Sequence, residues 1–203
     1  HVFGGGNGKD DYTLDGGSNW ETNPGANIGG NTNTILKGGL IHEAYGGSNE
    51  KGDIAGDIVI DTGDGGCDGC PLNLEKMVGA GRNADVNGNL IVVMGCKPSQ
   101  KIPLLYAGAD NANVNGNVEL TITSGNFGQV FGGNNEGGAI RGHIIVNIEE
   151  TGSCQTPIAI DELYLGGNNA AYSRFGYYIK TSSENGVGAP GETPELTEGR
   201  LTF

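Results

Sequence analysis

The chain has 203 residues, 40 of them glycine, with 11 Lys or Arg against 24 Asp or Glu and a formal net charge of −13. Such an acid excess works against nucleic acid and against insertion at anionic membrane surfaces, both of which reward basic patches. No apolar run approaches the roughly 18 residues that a bilayer-spanning helix needs, so membrane insertion is not expected.

In chain order, a glycine-rich turn recurs after a hydrophobic residue: Phe3-Gly-Gly-Gly-Asn7, Tyr45-Gly-Gly-Ser-Asn49, a looser Val78-Gly-Ala-Gly-Arg82, Ala107-Gly-Ala-Asp-Asn111, Phe131-Gly-Gly-Asn-Asn135 and Leu165-Gly-Gly-Asn-Asn169. These copies start 24 to 42 residues apart. A second element follows each of the first five: Ile28-Gly-Gly-Asn31, Ile54-Ala-Gly-Asp57, Val86-Asn-Gly-Asn89, Val114-Asn-Gly-Asn117 and Ile140-Arg-Gly-His143. Self-similarity at such a period means stacked units that share one core. The extra length of the longer units falls between the motifs, at 10–26, 63–71, 95–103 and 152–157. His1-Val-Phe-Gly-Gly opens inside a motif, which is the expectation for a piece of something longer.

After each second element the apolar residues alternate, as in Ile58-Ile60, Leu90-Val92-Met94, Val118-Leu120-Ile122 and Ile144-Val146-Ile148. Period two marks a strand with one buried face. No helical period competes. Short strands and a minimal repeat of about 20 to 25 residues predict an all-β, single-stranded parallel β-helix, a β-solenoid, with insertions at its corners. Right-handed coiling is expected from the handedness of parallel crossovers. A propeller blade needs four strands per repeat, which only the first unit could supply. The repeat domain is expected over 1–180, followed by a linker or C-terminal tail over 181–203, where Pro190 and Pro194 lie.

Stacking assigns the polar motif residues a purpose. Asn49, Asn111, Asn135 and Asn169 are expected in one corner column, and Asn31, Asp57, Asn89 and Asn117, followed by His143, in another. An amide can donate to one neighbour and accept from the next, so such columns read as structural ladders.

The four cysteines, Cys67, Cys70, Cys96 and Cys154, all lie in the loops that follow second-element strands. Their even number favours disulfides between neighbouring loops, Cys67 or Cys70 with Cys96. A zinc site is the alternative reading of Cys67-X-X-Cys70, although Cys96 and Cys154 do not repeat the pair. Gly5-Gly-Asn-Gly8-Lys-Asp10 matches the core of a calcium-binding β-roll, a pattern that works in tandem copies and occurs here once. A structural calcium is therefore the one cofactor the sequence admits, and no metal site is assigned.

Catalytic residues are not expected. His1, His42 and His143 lack a nucleophile pattern, and although Asp53, Asp57, Asp85, Lys51 and Arg82 could assemble the charged cluster of a carbohydrate-active sheet face, an acidic surface generates many such groupings by chance. Val59, Ile91, Val93 and Ile145 could form an outward apolar stripe. Trp20, Tyr172, Phe175, Tyr177 and Tyr178 are the aromatic residues available to face a ligand, or to cap the ends of the stack.

The segments Val2-Phe-Gly-Gly-Gly-Asn-Gly8, Val130-Phe-Gly-Gly-Asn-Asn-Glu136 and Leu165-Gly-Gly-Asn-Asn-Ala-Ala171, with strands such as Val114-Asn-Gly-Asn-Val-Glu-Leu-Thr-Ile122, resemble the repeats of glycine-rich adhesin-like β-solenoid proteins of the Bacteroidetes cell surface. The likeness covers most of the chain and weakens over 10–26 and after Ser182. It implies an extracellular or cell-surface setting and a structural or adhesive role with a glycan or host surface protein as partner. A carbohydrate-processing lyase or hydrolase, or a carbohydrate-binding β-helix, is the alternative. The corner cysteines depart from the repeat and mark a specialised segment.

Overall fold

A computed structural model describes residues 1–8, 16–17, 19, 26–63, 71–96, 101–149, 154, 156–170, 173–174, 177–178 and 199–202. Among these residues the architecture is all-β, without an α-helix. One six-stranded sheet contains, in spatial order, β1 (Val2–Phe3), β3 (Gly39–Tyr45), β5 (Leu72–Val78), β7 (Ile102–Tyr106), β9 (Gly125–Phe131) and β11 (Ile158–Tyr164). The other contains β2 (Thr32–Ile35), β4 (Ile58–Asp61), β6 (Leu90–Met94), β8 (Val118–Ile122), β10 (Ile144–Ile148) and β14 (Gly199–Thr202). All pairings within both sheets are parallel. A small antiparallel hairpin, β12 (Ser173–Arg174) with β13 (Tyr177–Tyr178), lies between β11 and β14 in the chain.

From β1 to β11 the chain passes alternately from one sheet to the other, so each pass lays one strand on each sheet and forms a layer. Between the sheets the layers also touch at single parallel bridges, Ile28 to Ile54 to Val86 to Val114 to Ile140. These are the first residues of the second sequence element. The final strand β14 pairs with β10, which places a strand within the segment expected as linker or tail.

The core is built by alternation. Ile58 and Ile60, Leu90 and Val92, Val118 and Leu120, and Ile144 and Val146 all point inward and are essentially dry. Val92, Leu120 and Val146 stand directly over one another in the ladder. The bridge residues Ile54, Val86, Val114 and Ile140 join the same cluster. In the first sheet the alternation changes phase. Leu74, Ile102 and Phe127 face the core, and so do Met77, Leu105 and Val130, three residues further on. Residues three apart cannot share one face of a regular strand. Each strand therefore bends between them, at Glu75, Pro103 and Gly128, where no residue pair appears in the ladder.

Layer spacing explains one glycine column. Gly56, Gly88, Gly116 and Gly142 occupy the third position of the second element, and a Cβ on Gly116 would meet the Gly88 carbonyl oxygen at 2.3 Å. At Gly142 the corresponding contact, with the Gly116 carbonyl oxygen, would be 2.4 Å. The obstacle is backbone of the layer below, which cannot rotate aside. Val59, Ile91, Val93 and Ile145, expected as an outward stripe, are only partly exposed. Val59 and Ile145 flank the in-register residues Ile91 and Glu119, so adjacent strands cover one another's sides.

The structure corrects the cysteine pairing. Cys96 bonds to Cys154, with Cα atoms 5.1 Å apart and a sequence separation of 58. Cys96 therefore does not pair with Cys67 or Cys70, both of which lie outside the described residues. The reason is a difference in loop length. Cys96 follows β6 and Cys154 follows β10, whereas the intervening layer turns from β8 to β9 through only Thr123 and Ser124. The two long loops meet across that short turn.

Two predictions follow from this geometry. Gly116→Ala is expected to cost about 1 to 3 kcal/mol, because an added methyl must push backbone apart, while Glu119→Gln on the outer face should stay within about 0.5 kcal/mol of the parent protein; urea denaturation of both variants checks the contrast. Loop-closure entropy across a span of this length is worth about 4 kcal/mol, so the double variant Cys96→Ser, Cys154→Ser should unfold at a clearly lower temperature than the oxidised parent in a thermal melt.

Candidate functional site

The columns of side chains that stacking creates are the material of any site. On the second-element edge, the side-chain oxygen of Asn31 accepts the Asp57 backbone N–H at 2.9 Å, Asp57 accepts that of Asn89 at 2.7 Å, Asn89 that of Asn117 at 2.9 Å, and Asn117 that of His143 at 2.8 Å. A second ladder runs parallel, four residues earlier in each layer and missed in the sequence. Asn27 accepts from Asp53, Asp53 from Asp85, Asp85 from Asn113 and Asn113 from Ala139. The visible signal was the polar residue just before each of the first four bridge residues, Ile28, Ile54, Val86 and Val114. Asp53, Asp57 and Asp85, candidates for a carbohydrate-active face, thus act as acceptors for backbone amides. Among the described residues no three His, Cys, Asp or Glu side chains are grouped so as to hold a metal ion.

The glycine-turn columns differ from the sequence expectation by one residue. Phe3, Tyr45, Val78, Tyr106, Phe131 and Tyr164 are in register, so Tyr106 and Tyr164 take the leading position and Ala107 and Leu165 fall where Gly46 and Gly132 stand. Backbone bonds confirm the shift, with Gly79 N–H donating to Tyr106 O and Gly132 N–H to Tyr164 O. The proposed column of four asparagines is consequently split. Asn49 and Asn135 share a column with Asn7, Arg82, Asp110 and Asn168, while Asn111 and Asn169 lie in the next one with Glu50, Asn83 and Glu136. Contacts follow the two columns: in the first, Asn49 Nδ2 donates to Asn7 Oδ1 at 2.7 Å and Asn135 Nδ2 to Asp110 Oδ1 at 2.6 Å, and in the second, Asn111 Nδ2 donates to Asn83 Oδ1 at 3.5 Å.

The aromatic leading residues stack face to face, with ring centroids 4.7 Å apart for Phe3 and Tyr45, 5.0 Å for Tyr106 and Phe131, and 4.9 Å for Phe131 and Tyr164. Val78 interrupts this stack between Tyr45 and Tyr106. Its short side chain leaves room beside the rings, and Lys76, two residues earlier on the same face, fills it. The Lys76 ammonium lies 5.6 Å from the Tyr45 ring centre and 5.8 Å from that of Tyr106, a cation–π arrangement. It donates to Asp110 Oδ2 at 2.9 Å. Tyr45 Oη lies 3.2 Å from the same carboxylate oxygen and 3.1 Å from Glu43 Oε2. His1 Nδ1 lies 2.8 Å from the same Glu43 oxygen.

This group is largely shielded from water: the Lys76 and Asp110 side chains are 15% and 10% exposed, and Tyr45 is buried. Burial, followed by the nearby charges of Asp110 and Glu43, pushes the Tyr45 phenol well above its ordinary value of 10.0. Tyr106 is raised in the same direction, chiefly by burial and then by Asp110 and Glu136. At the far end of the column the exposed Glu162 is held below the usual carboxylate range by hydrogen bonds from Gln129 and Tyr164. An amine, a carboxylate and a phenol thus converge in a desolvated recess, with a second, partly exposed carboxylate beside them. The sequence held a faint sign of it, since Asp110 is the one acidic residue in a column otherwise occupied by Asn and Arg.

Trp20, Tyr172 and Phe175 lie outside the described residues, and Tyr177 and Tyr178 form strand β13. The small cavity bounded by Thr62, Leu72, Met94, Ile102, Ser124 and Phe127 has room for about one water. No family model, curated protein or solved structure matches the chain.

A phenol whose folded-state pKa is raised stabilises the fold below its unfolded value and loses that contribution as pH climbs. Stability should therefore fall with rising pH from about 10 upward. Tyr45→Phe is expected to flatten that alkaline decline, as measured by denaturation midpoints across pH 9 to 11.

Proposed function

We propose that this chain is a structural and adhesive segment of a secreted or cell-surface repeat protein, a right-handed parallel β-solenoid that presents its corner loops to glycans or host surface proteins. The observation that carries this reading is the strict register of successive layers combined with highly unequal loops. β8 and β9 are joined by two residues, whereas β4 and β5, β6 and β7, and β10 and β11 are joined by much longer segments. Variable loops on an invariant stack are how a rigid scaffold offers binding surfaces.

The disulfide agrees with an oxidising compartment, in which such bonds persist. No helix among the described residues is long and apolar enough to cross a membrane. The net charge of −13 favours ligands other than nucleic acid. The principal acidic residues of the second-element face are engaged in backbone ladders, which supports a scaffold role for them over a catalytic one.

An array of glycans and extracellular matrix proteins, paired with a turnover screen on polysaccharides, tests the proposal. Binding without turnover is expected, and replacing residues 64–70 or 97–100 by a short Gly-Ser link should weaken it at least tenfold while leaving the circular dichroism spectrum unchanged. Turnover of any polysaccharide would replace this reading by the carbohydrate-processing one.

A further inference from the structure

We propose that Lys76 and Asp110 are the two halves of an intramolecular isopeptide bond, a covalent cross-link that this chain forms in its own recess between Tyr45 and Tyr106. The inference rests on geometry and is independent of the ligand-binding role proposed above. Lys76 Nζ is 2.9 Å from Asp110 Oδ2, and both side chains are largely withdrawn from water. The bond to be made joins Nζ to Cγ, the carbon that bears Oδ2, so this hydrogen bond sets the nitrogen beside its target; the amine must then move out of the carboxyl plane to the separation of about 3 to 3.5 Å at which reacting atoms meet productively.

The surroundings supply what condensation requires. The pair is held between two aromatic faces and away from bulk water, and condensation begins with a proton passing from the ammonium to the carboxylate to give neutral amine and carboxylic acid. The neutral amine then attacks Asp110 Cγ. A C–N bond forms and the Cγ–Oδ2 bond breaks. Both hydrogens lost by nitrogen leave on Oδ2 as one molecule of water, so no oxidant or other reactant is involved.

Each atom near Asp110 suits one of these steps. Asn135 Nδ2 donates to Oδ1 at 2.6 Å, the oxygen that carries negative charge in the tetrahedral intermediate and becomes the amide carbonyl. Tyr45 Oη sits 3.2 Å from the departing Oδ2 and 3.1 Å from Glu43 Oε2, which makes Glu43 and Tyr45 a proton relay to the leaving oxygen. Asp110 lies in the layer of β7 and Lys76 in that of β5, so the product is a covalent tie between neighbouring layers on the face opposite the core.

Intact-mass spectrometry of the purified 203-residue chain, followed by tryptic mapping, tests this directly. The expected result is a protein one water lighter than its sequence, with trypsin unable to cleave after Lys76 and with the peptide 52–82 joined to 102–141. Lys76→Arg should restore the full mass, and Tyr45→Phe, which keeps the ring stack, should slow the loss of water at least tenfold in a time course of folded protein. A folded parent protein that retains its full mass after prolonged incubation, with free cleavage at Lys76, would overturn the proposal. So would loss of water mapped to another position, such as an Asp-Gly succinimide. Because the parent chain itself carries the readout, a variant that fails to fold does not blunt the test.

Discussion

The constraint on which the rest of this molecule depends is the direct hydrogen bonding of each layer's backbone to the next. Parallel strands stand about 4.8 Å apart, and the turns between them hold the same spacing, as the bonds from Asn83 to Asn49 and from Asn115 to Val86 illustrate. At that separation a residue is surrounded above and below by its own equivalents. Every column must therefore tolerate self-stacking: aliphatic residues inside, amides and hydroxyls at the corners, aromatic rings face to face, and glycine where backbone meets backbone.

This rule explains why departures within a column are informative. A column of asparagines satisfies itself, because each carries a donor and an acceptor. Asp110 breaks that self-sufficiency, and its carboxylate is answered by Lys76, Tyr45 and Asn135 together. Lys76 can reach it only because Val78 leaves a gap in the ring stack. Two substitutions in different columns thus depend on each other, and the outcome is a polar, dehydrated recess on an otherwise repetitive face. The disulfide follows the same logic at the loops, since Cys96 and Cys154 meet only where the layer between them has a minimal turn.

Much of the fold was legible in the repeat itself. Alternation in Val118-Leu120-Ile122 and its counterparts identified the second sheet and its inward residues, and the ladder from Asn31 to His143 was readable from the constant offset after each bridge residue. The first sheet was less transparent. Its strands bend at Glu75, Pro103 and Gly128, so their apolar residues follow no single period, and β5, β7 and β9 carry no simple alternation. The glycine turns misled by one residue because Gly-Gly and Ala-Gly steps look alike in sequence. Only the pairing of Tyr106 with Phe131, and of Phe131 with Tyr164, decides which residue leads each turn.

By itself the sequence determined the all-β character, the period of the stack, the inward rows of the second sheet and the acidic surface, because each is a property of local spacing or composition. Tertiary structure decided which columns the polar and aromatic residues join, which cysteines meet, and that Lys76, Asp110, Tyr45 and Glu43 share one recess. The physical reason is that those facts depend on register between layers about 30 residues apart, and register is set by backbone pairing and ring stacking summed over the whole stack.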